Sequence, residues 1–277
     1  MPDAQESAID RDPQPVLPAL SIVTISFNQA PFLEECIDSV ARERGDGVEY
    51  IVVDAGSTDG SRDILARRAR DIDRLVLEPD RGPADGLNKG FAAVRGEIFG
   101  YVNADDRLIR GATSFVRNFF AKREDVDVLC GAIRLIDREG RPSPRARVSD
   151  KFDVARYAAG VCMIGQQATF FRREIFTRSG GFNTENRIAW DGELMVDMAL
   201  AGARFATTSK LLGDWRIYGG SITGSRSHRS RLDEYYRVLR ERLRSRQVSL
   251  YTPAQVALLR IAYKLNPLRH LRYYLAR

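Results

Sequence analysis

The sequence predicts an α/β protein with a mostly parallel, Rossmann-like sheet flanked by helices and a basic helical extension at the C-terminus. Two observations predict this fold. Short apolar runs alternate with helical patterns over residues 20–102, and the charge changes sign between the body of the chain and its end. A length of 277 residues suffices for one large α/β domain with an appendage.

Four apolar or β-branched runs and three helical patterns form the predicted N-terminal half. The strands are expected at Leu20–Phe27, Tyr50–Val53, Leu75–Leu77 and Ile98–Val102, and the helices at Pro31–Arg42, Arg62–Arg70 and Ala84–Val94. The first helix keeps Phe32, Cys36 and Val40 at helical spacing. Strands that alternate with helices in this way pair in parallel through right-handed crossovers.

The second half has a less regular pattern. Strands are expected at Val126–Leu135, Ala168–Phe171, Phe205–Thr207 and Leu212–Tyr218, with a basic, proline-containing loop at Asp137–Ser149, a helical turn at Arg173–Thr177 and a helix at Asp191–Ala201. We therefore expect additional strands on one side of the parallel core and a helix that begins at an aspartate.

The C-terminal segment, residues 226–277, is predicted to form two basic amphipathic helices. One apolar stripe comprises Leu232, Tyr235, Tyr236, Leu239 and Leu243, and a second helix is expected to start at Thr252-Pro253. The segment holds 13 basic and three acidic residues, whereas residues 1–225 hold 30 basic and 34 acidic ones. The sequence leaves two alternatives open, since such helices lie on an anionic membrane surface or dock on the domain.

Composition argues against several classes of protein. The two histidines, His228 and His270, and three widely spaced cysteines argue against a Ser-His-Asp hydrolase, a zinc site and a disulfide framework. The net positive charge is confined to residues 226–277. A nucleic-acid binder usually carries its basic patch on the same fold as its readout residues, so this distribution argues against that class. The polar, acidic start lacks a signal peptide, and no apolar run reaches the roughly 20 residues that span a bilayer. We expect a cytoplasmic protein, at the inner face of the membrane if the tail binds lipid, with residues 1–18 disordered.

Polar residues follow three of the predicted strands. Phe27-Asn28, Asp54 and Asn103–Asp106 stand at carboxyl ends, where open parallel sheets bind ligands. The chain has no GxGxxG after a strand and no GxxxxGK[ST], so neither a dinucleotide fingerprint nor a P-loop is present. Asp105 and Asp106 repel a diphosphate unless a divalent cation lies between them. The alternative is that these two acids only cap a turn.

The sequence resembles the family-2 glycosyltransferases, which have the GT-A fold. The resemblance is carried by TISFN (24–28), VVDAGSTDGS (52–61), DRGPADGLNKG (80–90), GYVNADD (100–106), GQQATFFRREIF (165–176), GGF (180–182) and WDGEL (190–194). These blocks follow one another in the family's order over about residues 20–223. A catalytic domain of residues 19–225 is therefore expected.

The resemblance implies a nucleotide-sugar donor, UDP- or dTDP-type in preference, and inversion at the anomeric carbon. Phe27 and Asn28 then border the base, and Asp54 hydrogen-bonds it. Asp85 and Lys89 match the helix on the donor side, where Lys89 meets phosphate charge. The implied acceptor is a glycan or a lipid-linked molecule in bacterial cell-surface polysaccharide or glycolipid synthesis.

The resemblance also assigns the metal and the base. Asn103-Ala-Asp105 stands where the family has its Asp-x-Asp motif, so that Asp105 holds Mg²⁺ or Mn²⁺ and Asn103 lies against the donor. Asp191 matches the catalytic base, with Glu193 behind it. These roles suit the chemistry, because a cation stabilises the leaving diphosphate and a carboxylate at a helix N-terminus stays ionised.

Two departures from the family pattern leave rival functions open. Asn103 replaces the first aspartate of the metal motif, and Tyr218 stands where many members have histidine. A catalytically inactive sugar-nucleotide-binding protein is therefore one alternative. A sugar-phosphate nucleotidyltransferase is the other, although it normally has a Gly-rich basic loop where this chain has Phe27-Asn28-Gln29.

Overall fold

A computed structural model describes residues 17–45, 47–220 and 228–266. Most of the N-terminal tail predicted to be disordered, residues 1–16, lies outside this range. The part of the chain that is described contains nine strands in one mixed sheet and nine α-helices. An α/β fold with a mostly parallel core and flanking helices is thus confirmed.

The strands run in the sheet order β3-β2-β1-β4-β8-β6-β9-β5, with β7 paired to β6. Their bounds are β1 Leu20–Ser26, β2 Val48–Asp54, β3 Arg74–Val76, β4 Ile98–Asn103, β5 Arg107–Leu108, β6 Val128–Ile136, β7 Pro142–Val148, β8 Thr169–Arg172 and β9 Phe205–Arg216. The first four strands pair in parallel, and β8 joins β4 in the antiparallel sense. Ser26 pairs with Asp54 and Ile25 with Asn103, so the polar strand ends meet at one edge.

Helices cover both faces of the sheet. They are α1 Ala30–Ala41, α2 Ser61–Arg67, α3 Pro83–Ala92, α4 Ala112–Lys122, α5 Val154–Ala158, α6 Arg173–Ser179, α7 Trp190–Leu200, α8 His228–Ser245 and α9 Pro253–Leu265. Adjacent residues of β1 point to opposite faces, because side chains alternate along a strand. Ile22 packs in the apolar cluster under α1, α2 and α4, whereas Val23 packs in the cluster under α3, α6, α7 and α8.

Two sequence-based predictions for the second half are wrong. The segment Asp137–Ser149 contains strand β7, and the expected strands Phe205–Thr207 and Leu212–Tyr218 are parts of one strand, β9. Strand β7 pairs only with β6, and an edge position of this kind tolerates proline. The middle of β9 is polar and exposed, so its continuity depends on pairing with β6 rather than on its own apolar residues.

Helix α8 docks on the domain. Leu239 and Leu243 are buried in the same cluster as Leu194 and Met198 of α7. In contrast, α9 buries no residue, although its predicted cap is present, with Thr252 and Gln255 bonding reciprocally. In the described residues, no helix combines the length and apolarity required to cross a membrane.

Candidate active site

Two adjoining cavities open at the carboxyl edge of the parallel strands. The first, here the Asp105 cavity, has a volume of about 540 Å³ and is lined by Phe27, Asp80, Asn103 and Asp105 among others. The second, here the Asp191 cavity, has a volume of about 460 Å³. Both volumes lie within the range of roughly 300–1,000 Å³ that is usual for small-molecule sites.

Three residues line both cavities, namely Asn103, Trp190 and Trp215. They form the boundary between the two spaces. Asp105 follows Asn103 by two residues on one side, and Asp191 follows Trp190 directly on the other. The structure therefore brings the predicted metal ligand and the predicted base to two sides of one boundary.

A buried arginine fixes the turn that carries Asp105. Arg216, at the end of β9, is only 1% exposed. Its backbone N–H donates to Asp106 Oδ1 at 2.8 Å, and its Nε donates to the Asp105 carbonyl oxygen at 2.8 Å. Its guanidinium also pairs with Glu35 of α1 and lies over the Phe32 ring. The turn after β4 is therefore fixed by Arg216, which belongs to β9 and not to β4.

The two neighbouring aspartates have different roles in this turn. Asp106 is buried and accepts hydrogen bonds from the Arg216 N–H and from Gln167 Nε2, both at 2.8 Å. Burial, and then the charge of Asp105, raise the pKa of Asp106 well above its usual value. Both aspartates line the cavity, but both carboxylate oxygens of Asp106 are occupied by protein donors. Burial raises the pKa of Asp105, while a hydrogen bond from Tyr218 opposes the rise. Asp105 is thus the carboxylate available to a ligand.

The residues present fit a divalent ion that is shared with a ligand. Asn103 Oδ1 is buried and has no hydrogen-bond partner at the cavity boundary. Within the described ranges no group of three or more Asp, Glu, His or Cys side chains forms a metal site. Mg²⁺ is commonly held by one or two carboxylates together with phosphate oxygens and water. One carboxylate and one amide oxygen suffice when a diphosphate supplies the remaining ligands.

Asp191 lies in the first turn of α7, and a hydrogen-bond network holds that helix start in place. Glu193 is buried and accepts from Asn183 Nδ2 and, at 2.6 Å, from Asn186 Nδ2. Asn186 Oδ1 accepts in turn from the N–H of Ala189 at 3.1 Å. Glu193 also pairs with Arg242 of α8. Glu193 therefore connects the loop that precedes α7 to α8 and supports the helix start that carries Asp191.

Asp54 and Asn28 organise the loop after β2. Asp54 is fully buried, and Asp54 Oδ1 accepts from Ser57 N at 2.9 Å and Arg62 Nε at 2.9 Å. Asn28, whose φ is +53°, accepts from Thr58 N at 2.9 Å. Neither side chain lines the Asp105 cavity, whereas Phe27 does, with 58% of its surface exposed. The predicted contact of Asp54 with a base stays a prediction.

Asp85 and Lys89 also lie outside the cavity lining. Lys89 Nζ donates to the Pro79 carbonyl oxygen and lies 3.6 Å from Asp85. The cations at the cavity are instead Arg81, Arg187 and Arg216. None of these three arginines was predicted from the sequence. Arg81 lies inside the DRGPADG block, whereas Arg187 and Arg216 stand in no motif or spacing that distinguishes them from surface arginines.

Comparisons with known proteins agree with this architecture. The sequence model of glycosyl transferase family 2 matches residues 21–180. A relative from Mycobacterium bovis strain BCG, named PGL/p-HBAD biosynthesis glycosyltransferase, is 31% identical over 185 residues, which cover 65% of this chain and 69% of the relative.

Solved structures show the same fold. The mannosyltransferase PcManGT from Pyrobaculum calidifontis, in complex with GDP-Man and Mn²⁺, has a TM-score of 0.63 and 21% identity, and the match covers 96% of this chain and 76% of that one. S. aureus TarS 1-349 in complex with UDP-GlcNAc has a TM-score of 0.60 and 18% identity, and the match covers 75% of this chain and 61% of that chain. The latter match thus spans less than two thirds of the solved TarS chain.

The fold and the paired cavities define a glycosyltransferase of the GT-A type. The chain belongs to glycosyl transferase family 2, as its motifs indicate.

We expect Asp54→Asn to lower the free energy of unfolding by about 2 kcal/mol at pH 7, since bonds to a buried carboxylate are lost. Burial opposes ionisation of Asp54, but hydrogen bonds from Ser57, Arg62 and Gly56 outweigh it and lower the pKa. This contribution is present above the unfolded value of about 3.9 and is lost as the pH falls through the folded pKa. Urea unfolding at pH 7 and in acid measures the difference.

The control for this prediction is Asp63→Asn, an exposed residue of the following helix, α2. Its effect should stay within about 0.5 kcal/mol at both pH values. A difference between Asp54→Asn and the wild type that does not shrink in acid would contradict the assignment.

Proposed function

We propose that this enzyme transfers a sugar from a nucleoside diphosphate sugar to an acceptor hydroxyl with inversion, using a divalent metal ion. The observation that supports it is the boundary formed by Asn103, Trp190 and Trp215, with Asp105 on one side and Asp191 on the other. An in-line displacement needs the leaving group and the proton acceptor on opposite faces of the anomeric carbon. Two cavities that meet at one boundary provide this arrangement.

The donor occupies the Asp105 cavity in this proposal. The exposed ring of Phe27 offers a stacking surface for a base, and Arg81 and Arg187 offer positive charge to the diphosphate. The solved neighbours hold UDP-GlcNAc in TarS and GDP-Man in PcManGT. We retain UDP or dTDP as the expected carrier on the strength of the motif resemblance.

Asp105, with Asn103 beside it, would hold Mg²⁺ or Mn²⁺ against the diphosphate. When bound, the ion neutralises the charge that develops on the leaving group. The neighbour PcManGT was solved with Mn²⁺. The Tyr218 hydroxyl hydrogen-bonds Asp105 where many family members have histidine, so the chain supplies fewer metal ligands of its own and depends more on the diphosphate.

Asp191 takes the proton in the proposed step. The acceptor oxygen bonds to the anomeric carbon, the bond from that carbon to the phosphate oxygen breaks, and the acceptor proton passes to the Asp191 carboxylate. Asp191 lies in the first turn of α7, where the helix dipole favours the ionised form. General base catalysis of this kind contributes roughly 10²–10⁴-fold.

The acceptor is proposed to be a glycan or a lipid-linked molecule of the bacterial cell surface. The relative from Mycobacterium bovis bears the name PGL/p-HBAD biosynthesis glycosyltransferase, which supports a role in biosynthesis, and the cell-surface acceptor rests on the motif resemblance. Incubation with UDP-, dTDP- and GDP-sugars and Mn²⁺ tests the function. Free nucleoside diphosphate marks a transferase, pyrophosphate marks a nucleotidyltransferase, and no release marks a binding protein.

Asp191→Asn should reduce transfer by at least about 100-fold, because the amide does not accept the proton. Donor affinity, measured by calorimetry, should stay within about twofold, since Asp191 lines the other cavity. The matched control is Glu185→Gln in the preceding loop, which should retain full turnover. Wild-type turnover by Asp191→Asn would remove this residue as the base.

Asp105→Ala should weaken donor binding by about tenfold or more in Mn²⁺ and by little in EDTA, because its role is exerted through the ion. Calorimetric titration of UDP in both media measures the two losses. Asp125→Ala, an exposed residue outside both cavities, serves as the control. Equal losses in Mn²⁺ and EDTA would show a role that is only structural.

We also propose that α9 attaches the enzyme to an anionic membrane surface. Leu258, Ile261 and Leu265 lie within one face of the helix and are 68%, 56% and 74% exposed. The basic charge of residues 226–277 complements anionic headgroups. Since α8 is part of the core, deletion of the whole segment is a poor test, and substitutions on α9 alone are preferable.

The triple variant Leu258→Ser, Ile261→Ser, Leu265→Ser should sediment with phosphatidylglycerol vesicles at least about tenfold less than the wild type, because the inserted apolar surface is lost. Leu77→Ser, which alters an exposed apolar residue of the body, should bind as the wild type does. Undiminished binding of the triple variant would exclude α9 as the contact.

A further inference from the structure

The Asp191 cavity has walls of uneven polarity. Most residues that line this cavity and not the Asp105 cavity are apolar or aromatic, among them Met163, Ile164, Ile188, Leu232, Tyr236 and Tyr263. The last three in chain order come from the C-terminal helices α8 and α9. The tail therefore builds part of the wall of the space in which the acceptor lies.

Several polar side chains of this lining are already paired within the protein. The amide nitrogens of Gln166 and Gln167 and the hydroxyls of Thr169 and Tyr263 each donate to a protein oxygen. Their donor distances lie between 2.6 and 3.0 Å. One donor proton of each of these groups is therefore already used inside the protein, so that the polar part of this wall offers a ligand fewer donors than its composition indicates.

Among the residues that the structure describes, two buried polar atoms of the lining have no hydrogen-bond partner. They are Tyr101 Oη and Asn103 Oδ1. The two residues lie on the same face of β4, because they are two positions apart in a strand. Asn103 is also one of the boundary residues. The unused hydrogen-bonding capacity is thus concentrated next to Asp191, where the reacting hydroxyl must lie.

We infer that the acceptor carries its reacting hydroxyl on a mainly apolar ring or chain, a statement that rests on the transferase function proposed above. The hydroxyl lies at Tyr101 Oη, close to Asp191, and the apolar part packs against Ile164, Leu232 and neighbouring side chains. A free sugar in the same space would place its hydroxyls against these apolar side chains. The geometry therefore selects an amphipathic acceptor over a free saccharide.

The test compares binding of 4-butylphenol and methyl β-D-glucopyranoside to the full-length protein with UDP and Mn²⁺, by ligand-observed NMR. We expect the phenol to bind at least about tenfold more tightly, because apolar burial favours it. Leu232→Glu should weaken this binding at least about fivefold. Val238→Glu, on the same helix but outside the cavity, should leave it within about twofold.

The outcomes separate this inference from the proposed function. Equal binding of both compounds, or equal effects of the two variants, would overturn the inference. Specific phenol binding without nucleoside diphosphate release from any donor would uphold the cavity's preference and reject the transferase role. Leu232→Ser and Val238→Ser form a second pair if thermal unfolding shows that Leu232→Glu is not folded.

Discussion

The buried charge of Arg216 is the constraint on which the site depends. Its guanidinium and backbone N–H connect the end of β9 to the turn after β4 and to Glu35 of α1. Burying the Arg216 guanidinium, which is 1% exposed, costs free energy unless its charge and its N–H groups are paired. The end of β9, the turn after β4 and α1 therefore have to meet in the arrangement that pairs it. That arrangement turns Asp106 inward and leaves Asp105 at the cavity.

A second network joins helix α8 to the start of α7. Arg242 of α8 pairs with Glu193 and Asp197 of α7, and Glu193 is hydrogen-bonded to Asn186 in the loop before Asp191. Since Leu239 and Leu243 bury α8 in the main core, the tail is not an independent appendage. It supports the start of α7 and contributes Leu232 and Tyr236 to the wall of the Asp191 cavity.

The two departures from the family pattern, Asn103 and Tyr218, are consistent with this arrangement of the cavity. Asn103 keeps a buried oxygen free at the boundary of the cavities, and the Tyr218 hydroxyl hydrogen-bonds Asp105 and packs its ring 4.8 Å from Phe32. Each replaces a charged or strongly coordinating side chain with a neutral one. The cavity thus has fewer groups that attract a cation, but it also has arginines, among them Arg187, whose positive charge suits a diphosphate.

Local patterns in the chain are enough to predict the order of strands and helices in the first half and the polar positions at the strand ends. Both follow from local periodicity and from the rule that parallel strands end at one edge. The shared edge of Asp54 and Asn103 was therefore predictable, and so was the helix that begins near Asp191.

Long-range packing selects which of two adjacent aspartates is available to a ligand, because Arg216 lies 111 residues from Asp105 in the chain. It also decided that β7 is a strand and that α8 is core, since pairing with β6 and packing on α7 supply what the local sequence does not indicate. Contacts between residues so distant in the chain produce no periodic pattern in the sequence, so local patterns do not predict them.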